Sequence, residues 1–107
     1  MKNLGEMMRK AQEMQTRMAE MQEELARTEL SGSSGGGMVE VTLSGKVEVR
    51  RVRIDPSLFQ SGDVEVVEDL VMAAFNDAKA KVEAHVAEKM QEITGGLQLP
   101  PGMQLPF

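Results

Sequence analysis

The sequence predicts an α+β fold in which a long helix, a small antiparallel sheet and a second long helix follow one another. Three observations predict it. An amphipathic stretch without proline opens the chain, two short middle segments alternate apolar and polar residues, and a second long amphipathic stretch follows.

The first helix runs from Asn3 to about Arg27. Its only glycine, Gly5, falls in the first turn. Asn3 and Glu6 have the spacing of a capping box, with Asn in place of the usual Ser or Thr. Leu4, Met7, Ala11, Met14, Met18, Met21 and Leu25 alternate steps of three and four, the a/d pattern of a coiled coil held over three heptads. A helix of that length extends about 37 Å. It is too long to lie wholly on a small sheet, so part of it projects or pairs with a second chain.

Ser31-Gly32-Ser33-Ser34-Gly35-Gly36-Gly37 reads as a flexible turn joining helix to sheet. A short strand around Thr28–Ser31 is compatible with this, so the sheet has two to three strands. In Met38–Leu43, Val39, Val41 and Leu43 alternate with Met38, Glu40 and Thr42, the period of a half-buried strand. Ser44-Gly45 supplies a tight turn. Val47–Ile54 is the next strand, and its pattern changes phase between Val49 and Val52. A one-residue bulge near Arg50-Arg51 keeps Val47, Val49, Val52 and Ile54 on the core face.

Asp55-Pro56 ends the sheet, with Asp55 placed to cap a short helical turn and Pro56 at its first position. After the break at Ser61-Gly62, Asp63 caps the second long helix, from Val64 to about Ile93. Val67, Leu70, Val71, Ala74, Ala78, Val82, Val86, Met90 and Ile93 form its apolar side. Thr94-Gly95-Gly96 terminates it. Residues 1–94 therefore read as one domain. Residues 95–107 read as a Gly/Pro-rich tail, uncharged and expected to be extended and mobile.

Composition narrows the function. The chain of 107 residues has room for one modest core, and its only aromatic residues are Phe59, Phe75 and Phe107. Val, Leu, Ala and ten Met supply the apolar mass, an adaptable core that is weakly anchored. Neither long helix can cover a small sheet and still hide its own stripe, and a homodimer resolves that. No cysteine is present, which excludes disulfides, thiolate nucleophiles and cysteine-ligated zinc. His85 is the only histidine, so no His pair can hold a metal, and nothing brings a serine to it. Gly35-Gly36-Gly37 lacks the Lys and Ser/Thr of a phosphate loop. The expectation is a non-enzymatic protein without cofactor, metal or small-molecule substrate. No stretch approaches the ~18 apolar residues that span a bilayer, and the N-terminus lacks a signal-peptide pattern, so the expected location is the cytoplasm away from membranes.

The net charge of −5 counts against a simple electrostatic binder of nucleic acid, which is usually basic. Cations are nonetheless clustered. In the first helix Lys2 and Arg9 share one column, Lys10 and Arg17 another, with Glu6, Glu13 and Glu20 between them. Glu6–Lys10 and Glu13–Arg17 have the favourable order for i,i+4 pairs, each worth about 0.2–0.5 kcal/mol. Lys81, His85 and Lys89 form a row on the second helix, and Arg50, Arg51 and Arg53 cluster on the sheet. A two-fold axis would present two copies of each short basic row to a duplex.

Four stretches resemble the YbaB/EbfC nucleoid-associated proteins. They are Met7–Gln15, the Gly-rich turn leading into Met38–Lys46, Val49–Leu58 and Glu68–Ala78. Ile54-Asp55-Pro56 and Ala74-Phe75-Asn76-Asp77-Ala78 are the most specific blocks, and Leu99–Phe107 is similar to the family's tail. The resemblance implies an αβββα fold and a tweezer-like homodimer whose helical arms bind double-stranded DNA in the bacterial nucleoid. Carried onto this chain, it implies DNA contacts by Arg9, Lys10 and Arg17 on the first helix and Lys79, Lys81 and Lys89 on the second. The rival reading is a non-enzymatic adaptor that grips a protein partner, such as a recombination or repair protein, through the Met stripe and the tail.

Overall fold

The computed structural model describes residues 2–60 and 62–94, so the expectation for the tail lies outside the described residues. The elements are α1 (Lys2–Arg27), β1 (Glu29–Ser34), β2 (Val39–Ser44), β3 (Val49–Ile54) and α2 (Val64–Thr94). A turn of 3-10 helix lies at Gly35–Gly37 and another at Pro56–Phe59. The three strands form one antiparallel sheet in the order β1-β2-β3, which is the αβββα arrangement. Helix α1 already includes Lys2, so Asn3 lies inside the first turn and does not cap it.

The segment expected to be a turn from Ser31 onward is a strand as far as Ser34, with only Gly35–Gly37 left as the turn. The small residues that resemble loop chemistry are what lets β1 meet α2. A Cβ on Gly32 would come within 2.5 Å of the Ala74 carbonyl oxygen and 2.8 Å of the Ala78 Cα. Helix and strand thus touch backbone to backbone. The serines complete the contact, since Ser34 Oγ donates to the Leu70 carbonyl at 2.6 Å and Ser31 Oγ shares a 2.8 Å hydrogen bond with Thr42 Oγ1.

β1 is an edge strand, and its unpaired backbone groups are a pairing hazard unless covered. Helix α2 covers them. The Ser33 N–H donates to Asp77 Oδ2 at 3.0 Å, and Lys81 Nζ donates to the Ser31 carbonyl at 3.0 Å. Asp77 and Lys81 also face each other at 3.4 Å, one helical turn apart. The Ser33 amide, and secondarily Lys81, hold the Asp77 carboxyl below the ordinary carboxylate value.

Val39, Val41 and Leu43 of β2 form the core with Ala74, Ala78 and Val82 of α2, with Leu70, Val71 and Val86 packed around it. Ala for larger residues at 74 and 78 is what keeps helix and sheet close. The expected bulge is present, because Thr42 pairs with Arg51 and Leu43 with Val49, leaving Arg50 as the extra residue. Val49, Val52 and Ile54 thereby stand opposite Leu43, Val41 and Val39 on one face. That face is not buried at β3, however. Val49 and Val52 are 54% and 49% exposed, because α2 lies over β1 and β2. Val47 departs from the expectation too. It sits in the turn at φ +64°, since Ser44 Oγ accepts the amides of Lys46 and Glu48 and closes the chain before β3 begins.

That turn also docks α1. Gly45 N–H donates to the Leu25 carbonyl at 2.8 Å, and a Cβ at Gly45 would lie 2.7 Å from that oxygen. Arg50, pushed out by the bulge, donates from Nη2 to the Ala26 carbonyl at 2.9 Å, a cation on the free carbonyls of a helix C-terminus. Asp55 and Asp63 cap as expected, accepting the amides of Ser57 at 2.9 Å and Val66 at 3.3 Å. Beyond the sheet the two helices meet through Met21, Leu25 and Met90, with Met18, Val86 and Ile93 around them. The last third of the heptad stripe thus packs within its own chain.

Two outcomes follow. Gly32→Ala forces α2 away from β1 and should lower stability by about 1–3 kcal/mol in urea unfolding. Asp77 has a lowered folded-state pKa, so its contribution is complete above the ordinary value of 3.8 and is lost as pH falls through the lower folded value. The stability gap between wild type and Asp77→Asn should be constant above about pH 5 and shrink towards about pH 3.

Candidate nucleic-acid interface

A polyanion is met by cations that are exposed and not already neutralised. On α1 the side chains of Arg9, Lys10 and Arg17 are exposed and form no hydrogen bond or ion pair with any described residue. The expected pairs Glu6–Lys10 and Glu13–Arg17 do not close within 4.0 Å, although each glutamate lies one turn away. At such exposed sites the small Coulombic gain in water does not offset the cost of ordering two long side chains. Arg9 and Arg17, two turns apart, border a shallow groove with Gln12, Glu13, Thr16 and Glu20. The axial separation of the two guanidinium-bearing positions is about 12 Å.

The α2 lysines have a different character. Lys79 Nζ lies 4.0 Å from Glu83, and Lys81 ties the β1 edge. Lys89 reaches across to α1, with Nζ 3.2 Å from Glu24 and 3.7 Å from Glu92, and it is only 27% exposed. The hydrogen bond to Glu24, with the charges of Glu24 and Glu92, raises the Lys89 pKa above its ordinary value. Lys89 is a clamp between the two helices. Arg17 lies at the same junction, in a groove it shares with Lys89, Glu20 and Glu24. The structure therefore brings Arg17 and Lys89 together. Arg9 and Lys10 stand farther out along α1, and Lys79 and Lys81 lie over the sheet.

The sheet cluster is occupied as well. Arg51 Nη2 is 2.9 Å from Glu29 Oε1, Arg53 is 3.9 Å from Glu40 and donates to the Gly37 carbonyl, and Arg50 caps α1. His85 is half-buried, and its Nε2 has no hydrogen-bond partner. Sequence reasoning missed the edge-covering roles of Asp77 and Lys81. No local pattern signals them, because their partners are backbone atoms some fifty positions away. The helix-capping role of Arg50 was accessible in principle, since the bulge was legible and turns that residue aside.

The elongated shape carries the N-terminal part of α1 away from the sheet, to which only its C-terminal end is docked. The radius of gyration is 19.5 Å, against about 13 Å for a compact chain of this length. No helix among the described residues is long and apolar enough to cross a membrane.

Comparison with known proteins agrees with this architecture. The YbaB/EbfC DNA-binding family matches residues 1–97. Nucleoid-associated proteins of Rhodospirillum rubrum and Paramagnetospirillum magneticum are 62% and 63% identical, each over the full length of both chains. The crystal structure of an uncharacterized protein from Helicobacter pylori superimposes with a TM-score of 0.73 at 28% identity, covering 89% of this chain and 97% of that one. The chain belongs to the YbaB/EbfC DNA-binding family.

Proposed function

We propose that this chain is a cytoplasmic nucleoid-associated protein that binds double-stranded DNA as a homodimer, with weak sequence selectivity, and influences nucleoid organisation and gene expression. It acts by binding and not by catalysis. The observation that carries this reading is the contrast between cations: Arg9 and Lys10 on the projecting part of α1, and Arg17 at its junction with α2, are unpaired among the described residues, whereas the other candidates are held by carboxylates or backbone carbonyls. The family description and the names of the full-length relatives support it.

The physics of the contact follows from charge type. Exposed Arg and Lys on a smooth helix meet phosphate oxygens, which fix position but carry no sequence information. An overall charge of −5 is compatible with this, since a local cluster sets the potential where the duplex lies. The acidic remainder disfavours wrapping and confines contact to the arms. Within α2, Lys89 contributes by holding the arm together, and Lys79 and Lys81 add positive potential while serving their own carboxylates.

The second copy covers the apolar side of β3. Val49 and Val52 are exposed on that side, and so are Val47 in the turn before β3 and Phe59 in the 3-10 turn after it, the latter at 62%. Burying apolar surface of this kind is worth about 25 cal/mol per Å² before the cost of association. Pairing there leaves both α1 arms free and presents six unneutralised cations, Arg9, Lys10 and Arg17 from each chain.

Six phosphate contacts give a slope of about −5 for log affinity against log salt concentration. A mobility-shift titration at several salt concentrations should find it. Arg9→Ala/Lys10→Ala/Arg17→Ala should lose most of the slope while unfolding as the wild type does. Retention of the full slope would refute the assignment to α1.

A further inference from the structure

One column of α1 changes sign where the helix meets α2. Lys10, Arg17 and Glu24 follow one another at intervals of seven residues, so they lie along one side of the helix. Each step is about 10.5 Å of helix axis. Two cations are thus followed by a carboxylate. At that third position α2 delivers a cation of its own, because Lys89 Nζ lies 3.2 Å from Glu24 Oε1. Glu92 stands 3.7 Å from the same ammonium. Arg17, Glu20, Glu24 and Lys89 line one groove at the junction.

We propose that this junction is a latent phosphate site of the arm, and that Glu24 closes it by holding Lys89 as a phosphate oxygen would. Carboxylate and phosphate offer an ammonium the same thing, anionic oxygens at hydrogen-bond distance. Without the Glu24 charge, Lys10, Arg17 and Lys89 make an unbroken row of three cations along the arm. With it, the third position is neutral to a duplex lying there. A phosphate that displaced Glu24 would exchange one anion for another and leave the freed carboxylate beside the DNA, which offsets the gain. Glu92 is a weaker holder, since it is more distant and its side chain is 70% exposed. Glu24 therefore sets how many phosphates each arm engages, and confines the contact to Arg17 and the helix beyond it.

This site rests on the reading that α1 binds DNA, and the experiment separates the two. Mobility shifts at several salt concentrations compare wild type, Glu24→Gln, Glu20→Gln and Glu24→Gln/Lys89→Ala, with urea unfolding of each to establish that the fold is kept. Glu24→Gln retains the side chain's size and removes its charge. In a dimer it opens two positions, so the slope of log affinity against log salt should steepen from about −5 to about −7. Affinity should then fall about tenfold more than in wild type between about 50 and 200 mM salt. Glu20→Gln removes the same charge from the same groove but frees no cation, and should keep the wild-type slope. Glu24→Gln/Lys89→Ala should return to that slope. A wild-type slope for Glu24→Gln, or a steepening that survives Lys89→Ala, would overturn the latent site and leave DNA binding by α1 intact. If neither wild type nor Glu24→Gln shifts a duplex at low salt, the DNA reading itself fails, and the latent site with it.

Discussion

The close approach of α2 to β1 governs the rest of the molecule. Gly32 has no side chain, Ala74 and Ala78 have the smallest, and the two backbones meet where any larger residue would clash. Because the helix is drawn over β1 and β2, its polar groups reach the β1 edge and close it with Asp77 and Lys81. The same displacement leaves β3 bare on its apolar side, where Val49 and Val52 remain exposed opposite Leu43 and Val41. One edge of the sheet is finished within the chain and the other is not. The contact therefore decides both what is stable alone and where the proposed second copy belongs.

Charge is divided in the same economical way. A chain with seventeen acidic and twelve basic residues does not attract a polyanion as a whole. Half of the cations are engaged inside the fold: Lys89 joins α1 to α2 through Glu24, Arg51 joins β3 to Glu29, and Arg50 caps α1. A cation already paired must give up that partner before it can displace a counterion from DNA, so its net gain is small. Those on the outer part of α1 carry no such debt. In the proposed contact with DNA, their value lies in being left over and in being carried away from the sheet by a helix of about 39 Å.

Much of this was legible in the residues. Both helices and the β2 strand announce themselves by period, and α2's apolar side was readable residue by residue because a long, buried stripe averages out local noise. The Arg50 bulge was legible because the apolar phase changes between Val49 and Val52 and only an inserted residue restores the face. Other features were not. Ser31–Ser34 has loop composition, and its strand character comes from Gly32 and the serines meeting α2, a partner some forty positions away. Val47 has strand propensity, yet Ser44 captures the Lys46 and Glu48 amides and holds it in the turn. For the candidate site, the cations could be enumerated from the sequence, but which of them are free could not. That depends on whether Glu24 or the Ser31 carbonyl lies within reach, which is a tertiary fact.

The central claim is that an unfinished β3 face joins two copies and that the pair presents the free α1 cations to a duplex. Sedimentation velocity of the full chain at low salt, with and without a short DNA duplex, tests both halves together. The account predicts twice the chain's mass alone and a faster complex of two chains with one duplex. A well-folded single chain, sedimenting unchanged beside the DNA, would contradict it.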